Sequence, residues 1–396
     1  MKVFCVFGKH QYGDPARGLG IEYAAFLPTL KRLGHQVIHF ESWDRSKHRD
    51  FAELNRALLG AVARERPEVL LSVQTDIELW LETLALISTR GDVATVSWTT
   101  DDSWKYKQVP CFIGRYYHAM ATTYPSAEAQ YHRDGIRNVH LTQWAANAEL
   151  LREPLPAAQC KCPVSFVGAA HGNRVRRVER LRARGIDVAC FGHGWPNGPV
   201  AAEAVPEIMR QSVISLNFAN ARGDNQIKAR TFEVPGAGGF LLSEAAVGIE
   251  GIYSVDQEIA VFRDEQELAE KIRHFLSHPA ERDAIARAGF ERTRRDHTYD
   301  LRLRELLAFA LKAKDAWLQA RQPSALLPFE RCLDCHRLTP PLRALRAALL
   351  TICCAVWGKQ RGPRAARRLV FEFSWRVLGG HTFTAKGLTG RLFPQL

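Results

Sequence analysis

The sequence predicts an α/β protein built from two doubly wound parallel sheets in tandem, with a basic helical extension behind them. Three observations predict it. Short apolar, β-rich runs alternate with helix-length amphipathic runs over 1–150. The same rhythm restarts after a proline-rich break. Residues 325–396 abandon it.

The first domain, 1–150, opens on "KVFCVFG", a buried strand. "GLGIEYAAFLPTLKRLG" reads as a helix stopped by Gly34, and "HQVIHFE" as the next strand. "DFAELNRALLGAVARERP" is a helix ended by Pro67, then "EVLLSVQ" a strand and "IELWLETLALISTRG" a helix. "VATVSWTTDD", "HAMATTYP" and "NVHLTQWAAN" supply three more strands. The break "REPLPAAQCKCP" holds three prolines and reads as a linker. The second domain, 151–324, runs through "VSFVGAAHGNR", "VRRVERLRARG", "IDVACFG", "VPEIMRQS" and "VISLNFAN". It continues through "KARTFEVPGAGGFLLSE" and "EIAVF" to a helical tract from Asp264 to about Gln322, interrupted near Pro279. Two such units place a cleft between them, and ligands of open α/β sheets sit beyond the carboxyl ends of the strands.

Composition, with 46% hydrophobic and 24% charged residues among 396, is that of a globular chain. The nine cysteines are scattered and odd in number, and "MKVFCVFGKH" reads as a strand and not as a leader. A reducing, cytoplasmic setting with free thiols is the expectation. No uninterrupted run of 18 apolar residues occurs, so no transmembrane helix is expected. The net charge is +12, and the tail carries most of it: from Ser324 onward twelve Lys and Arg face three acids. The longest apolar run there, 347–357, is eleven residues, which suits an interfacial or core helix. The tail is therefore expected either to hold the protein on an anionic membrane surface or to pack back on the first domain. It contains no recognised nucleic-acid-binding module, and no nucleic-acid partner is expected.

Candidate site residues cluster after strands. "GAAHGNR" puts Gly168, His171 and Arg174 at a strand-to-helix turn, where backbone N–H groups and a guanidinium can receive phosphate oxygens. In "FGHGWPNG", glycines allow close backbone approach, and His193 or Trp195 could pack on a flat base; the competing reading is a turn whose tryptophan fills the core. Lys228 and Arg230 stand at the start of a short helix and Glu233 one turn in, a pattern that can meet a diphosphate and a ribose diol. The plain alternative for Glu233 is a solvated glutamate paired with Arg230 at i, i+3. Asn217, near the end of its strand, and Gly238, in the glycine bend, complete the expected donor set. In the first domain Asp101 and Asp102 follow a strand and could act as a general base or orient sugar hydroxyls; an N-cap role competes. His10, with Lys9, lies in the first loop of the same domain. "CLDCH", residues 332–336, has the spacing of a haem-attachment site, but unliganded thiols are the expectation and no metal site is foreseen.

The run from "FVGAAHGNR" through "IKARTFEVPGAGGFLLSE" to "EIAVFRDEQELAEKIRHFLSHPAERDAIARAGFERTRRDHTY", about 163–310, resembles the CgeB-like glycosyltransferases, as does "WTTDDSW". The resemblance implies a GT-B fold, a nucleotide-sugar donor as substrate, no required cofactor or metal, and a glycan or lipid-linked acceptor. It implies that Lys228 and Arg230 face the diphosphate and that Glu233 holds the donor ribose. The second glutamate of the broader retaining group 1 enzymes would fall eight positions earlier, where this chain has Asn225. The expected function is glycosyl transfer. A non-catalytic binding protein of the same fold, or a nucleotide-sugar epimerase or hydrolase, are the alternatives.

Overall fold

The computed structural model describes residues 1–44, 46–219, 225–320 and 328–394. They divide into two units, Met1–Thr142 with Leu303–Leu396, and Gln143–Arg302. The expected boundary at 324/325 lies outside the described residues.

In the first unit, strands β1 Lys2–Val6, β2 Gln36–Phe40, β3 Val69–Ser72, β4 Ala94–Thr99, β5 Ala119–Thr122 and β6 Val139–Leu141 alternate with helices. These are α1 Ile21–Arg32, α2 Phe51–Glu65, α3 Leu81–Thr89, α4 Asp102–Lys105, α5 Pro110–Ile113 and α6 Pro125–Arg133. The six strands form one parallel sheet in the order β2-β1-β3-β4-β5-β6. β3, β4 and β5 are buried along their whole length, as parallel strands covered on both faces must be. α2 shows how sequence sets a boundary. The Asp50 carboxylate accepts the Glu53 amide at 2.8 Å, and Phe51, Leu54, Leu58, Ala61 and Val62 then face the core.

The second unit has strands β7 Cys162–Val167, β8 Ala189–Phe191, β9 Ser212–Asn217, β10 Leu241–Glu244 and β11 Ala260–Phe262, with helices α7 Arg174–Ala183, α8 Val205–Arg210, α9 Arg230–Gly236, α10 Glu265–Ser277 and α11 Pro279–Asp296. Its parallel sheet runs β11-β10-β9-β7-β8. Each sheet therefore has a switch point where successive connections leave to opposite sides, between β1 and β3 in one and between β7 and β9 in the other. Such points open a crevice at the strand carboxyl ends.

The proline-rich segment lies on the second unit and does not hang free. Its Arg152 amide donates to Gly236 O at 3.0 Å and its Ala157 amide to the Asp283 carboxylate at 2.9 Å. Arg282 of α11 is fully buried and ties this segment to the sheet. Its guanidinium donates to Val213 O at 2.7 Å, Leu155 O at 2.8 Å and Ser212 O at 3.1 Å.

Helix α12, Tyr299–Ala320, carries the chain back to the first unit, where Trp317 meets His118 edge to face at 4.8 Å. Helices α13 Phe329–Cys335, α14 Pro340–Leu378 and α15 Leu388–Leu392 follow. This extension packs on the first unit, one of the two expectations for it. Arg367 pairs with Asp76, the Glu82 carboxylate accepts the Ala385 amide at 3.1 Å, and Phe383 is buried in the domain core. "CLDCH" is part of that packing: Cys332 is in the core, and His336 sits 4.8 Å from the Trp80 ring with Nδ1 3.0 Å from Ala385 O.

Among the described residues one helix, Pro340–Phe383, is long and apolar enough to cross a membrane by length and composition alone, although it holds no uninterrupted apolar run of that length, and little of its apolar window is buried.

The Arg282 clamp makes a stability prediction. Arg282→Met keeps much of the volume but takes the guanidinium donors from the buried Ser212 carbonyl and the half-buried carbonyls of Val213 and Leu155. It should lower unfolding free energy by about 3 kcal/mol or more, read as a fall in the urea midpoint.

Candidate functional site

In the second unit the crevice at the β7/β9 switch is lined by arginine. Parallel register brings the chain just past β7 (Gly168–Ala169), the chain just past β9 (Phe218–Ala219) and Glu244, at the end of β10, to one sheet edge. Arg174, first residue of α7, spans the switch: its Nη1 donates to Ala169 O and its Nη2 to Phe218 O, both at 3.1 Å. Arg230, first residue of α9, reaches the same turn, since a Cβ on Gly168 would lie 2.9 Å from its Nη1. Burial, and then the Arg230 charge, lower the Arg174 pKa to about 10. Each of these arginines keeps a buried Nε without a hydrogen-bond partner among the described residues. Two guanidiniums close enough to repel, with donors to spare, form a cradle for a polyanion. Glu244 supplies the nearby countercharge and is itself held by Arg177 at 2.7 Å and by the Ala219 amide at 3.0 Å.

Glu233 lies on α9 with its carboxylate 3.6 Å from Arg230 Nε and its side chain 33% exposed. The i, i+3 contact exists, and the remaining exposure leaves oxygen lone pairs accessible. Lys228 Nζ donates to Gln226 Oε1 at 2.7 Å. Asn225 donates to Ala245 O at 3.0 Å, so its amide is committed to the loop after β10.

In the first unit the loop 7–20 leaves β1 at the β1/β3 switch and returns into α1. Glu41 holds it, accepting the Lys9 amide at 2.5 Å and the Trp43 amide at 2.8 Å. Glu22, in the first turn of α1, is 7% exposed, and burial followed by the Asp101 charge raises its pKa to about 7. Asp101 follows β4, as does Asp102. Asp102 is 2% exposed, and the hydroxyls of Thr99, Thr122 and Tyr131 crowd its Oδ2 at 2.6, 2.5 and 3.1 Å. Burial raises the Asp102 pKa against the opposing pull of those hydroxyls.

With this geometry in place, comparison with known proteins is informative. Residues 174–308 match the model of the glycosyl transferase-like family. No curated protein matches the sequence. Among solved structures, a glycosyltransferase from Rickettsia africae is similar with a TM-score of 0.57 at 12% identity, covering 79% of this chain and 98% of that one. Anabaena HepE in complex with UDP is similar with a TM-score of 0.55 at 10% identity, covering 79% of this chain and all of that one. Sucrose-phosphate synthase from Thermosynechococcus elongatus is similar with a TM-score of 0.53 at 13% identity, covering 81% and 99%. Residues 174–308 thus carry a likeness to a glycosyl transferase-like domain, and the chain shares its fold with GT-B glycosyltransferases.

Within this glycosyltransferase fold, Gly168, Arg174 and Arg230 come together, with Glu233 beside Arg230. His171 is at the exposed rim, with Nδ1 3.3 Å from Arg174 Nη1. His193 is exposed and joins the cradle loop through its carbonyl, which accepts the Ala170 amide at 2.8 Å. Three expected ligand contacts are instead structural. The Trp195 indole donates to Gly168 O at 2.7 Å and packs edge-on to Phe166, so it closes the core under the loop. Asn217 is buried and ties β9 to Ser243 Oγ at 3.0 Å. Gly238, at φ +78°, packs where a Cβ would meet Arg152 O at 2.5 Å. In the first unit, Asp102 is buried, with three hydroxyls on its Oδ2 and no hydrogen-bond partner for Oδ1 among the described residues. His10 sits in an antiparallel bridge with Leu19.

Sequence reasoning passed over Glu22, Arg177 and Glu244. An acid in the first turn of a helix after a glycine-containing βα loop was a signal for Glu22, masked by the amphipathic look of "GIEYAAFL". Nothing local marks the Arg177–Glu244 pair, whose members are far apart in sequence.

The raised Glu22 pKa has a definite sign. The folded protein holds the proton up to about pH 7, whereas the ordinary value is 4.5. Folding is therefore unpenalised below about pH 4.5, loses stability as pH rises toward 7, and stays penalised above. Glu22→Gln should stabilise the protein at pH 8 by up to about 3 kcal/mol and hardly at pH 4, measured as urea midpoints at both values.

Proposed function

We propose that this chain is a CgeB-like glycosyltransferase that moves a sugar from a nucleotide-diphosphate donor to an envelope, lipid-linked or other glycan acceptor without a metal ion. The observation that carries the reading is the Arg174–Arg230 pair beneath the Gly168 turn at the sheet's switch point. In the proposed reaction the acceptor hydroxyl oxygen attacks the anomeric carbon. The bond from that carbon to the diphosphate oxygen breaks, and the electron pair leaves with the diphosphate. Arg174 and Arg230, with Lys228, neutralise the charge that develops there. Glu233 accepts the ribose hydroxyls. The acceptor's proton goes to a general base. The presence of UDP in the Anabaena HepE structure makes a uridine nucleotide the first probe to try.

A second reading, a binding protein that keeps the donor cradle and has lost the chemistry, is favoured by Asn225. It stands where the resemblance expects a sugar-contacting carboxylate, and its amide is already bonded to Ala245 O.

Nucleotide screening by thermal shift separates these readings. At about 100 times Kd a bound nucleoside diphosphate should stabilise the wild type by about 2.7 kcal/mol. Arg230→Ala should weaken that binding about tenfold or more, with Arg174→Ala similar and Glu233→Ala smaller. If no nucleotide shifts the wild type, the donor reading fails. A nucleotide sugar that binds and is slowly hydrolysed marks an enzyme; one that binds and stays intact marks the binding protein.

A further inference from the structure

The extension that packs on the first unit is only half covered. Gly358, at φ +77°, breaks α14 into two arms, 340–357 and 359–378. A side chain is strained at that φ, so glycine is what permits the bend. The arms then meet closely: a Cβ on Gly362 would lie 2.7 Å from Cys354 Cα. Cys353, Ala366 and Val370 fill the seam together with Leu392 and Phe393.

The faces turned away from the seam are apolar and exposed. Leu345, Ile352, Val356 and Trp357 on the first arm are 42, 61, 63 and 47% exposed. Leu369, Phe373 and Val377 on the second, spaced i, i+4, i+8, are 49, 56 and 62% exposed. Eight of the seventeen large hydrophobic side chains exposed among the described residues fall within 345–378, so exposed apolar surface is concentrated on this extension. At the bend Lys359, Arg361 and Arg364 are exposed and form no ion pair among the described residues. Apolar side chains beside unpaired cations, with a tryptophan at the boundary, complement the acyl and headgroup layers of an anionic bilayer.

The orientation follows from what holds the second arm. Arg367 is paired with Asp76 of the sheet domain, Phe371 packs against the domain core, and Ser374 Oγ lies 2.8 Å from Thr382 Oγ1. Crossing by the first arm would part it from its seam with this held arm and carry Arg343 and Arg346 into hydrocarbon. Lying in the plane requires neither, although the first arm, at about 27 Å, approaches the length of a span.

We propose that the α14 hairpin docks the protein in the plane of an anionic lipid surface, with Ile352, Val356 and Trp357 in the acyl boundary and Lys359, Arg361 and Arg364 among the headgroups. This is independent of the donor chemistry.

The test is co-sedimentation of the full chain with phosphatidylcholine vesicles, with and without about 30 mol% phosphatidylserine. The anionic vesicles should bind at least about tenfold more strongly, and raised salt should release the protein. Lys359→Gln/Arg361→Gln/Arg364→Gln should weaken that binding by up to about two orders of magnitude. Ile352→Ser/Val356→Ser should also weaken it, with melting temperature unchanged because both residues are exposed. Equal binding to the two compositions overturns the proposal, as does a serine variant that is folded and binds like wild type. Binding that resists both salt and alkaline carbonate indicates a spanning helix and overturns the in-plane reading. A dimer that forms through this face and ignores vesicles overturns it as well.

Discussion

The second unit is organised around holding two like charges together. Arg174 and Arg230 converge on one glycine turn at the β7/β9 switch, and burial, followed by their repulsion, lowers the Arg174 pKa to about 10. Several features make this tolerable. Two backbone carbonyls, of Ala169 and Phe218, take Arg174's donors, and Glu244 contributes a negative charge already shared with Arg177. The Phe166 ring lies under Arg174, 5.2 Å from the guanidinium. What is left is a site with unused donors and surplus positive charge, a state that an anionic ligand relieves. The loop after β8 is built to serve it: Trp195 locks onto Gly168 O, and Gly192 lies where a Cβ would clash with that carbonyl at 2.4 Å.

The first unit treats carboxylates differently. Glu41 is held by the Lys9 amide of the first loop and the Trp43 amide after β2, and Asp102 by three hydroxyls from β4, β5 and α6. Glu22 is buried without comparable compensation and remains titratable near neutrality. Both Glu22 and Asp102 are desolvated near Asp101 and have raised pKa values; they differ in that three hydroxyls hold one oxygen of Asp102 and oppose the rise.

The extension shows how one helix serves two environments. Its seam and the Arg367–Asp76 pair fasten it to the sheet domain, and its opposite faces carry apolar side chains that the described protein leaves uncovered. The run of 347–357 looked too short for anything but interface or core. Arg343 and Arg346 bound that run on its N-terminal side, and helical periodicity sets them off the exposed stripe of Leu345, Ile352 and Val356.

The α/β class, the two sheets and the helical tail were legible in the sequence because strand and helix periodicities are local. So were Gly168, Arg174, Arg230 and Glu233, which sit at strand-to-helix turns that local pattern marks. Tertiary structure alone decided which strands lie side by side, and hence that the ends of β7 and β9 open at the switch where Arg174 sits. It alone separated Asp102 from Asp101, neighbours in sequence with unlike surroundings. It alone paired Arg177 with Glu244 and gave the last part of the chain to the first unit. Residue type and spacing report what a side chain can do. Burial, partners and net local charge depend on segments distant in the chain, and they determine what it is left free to do.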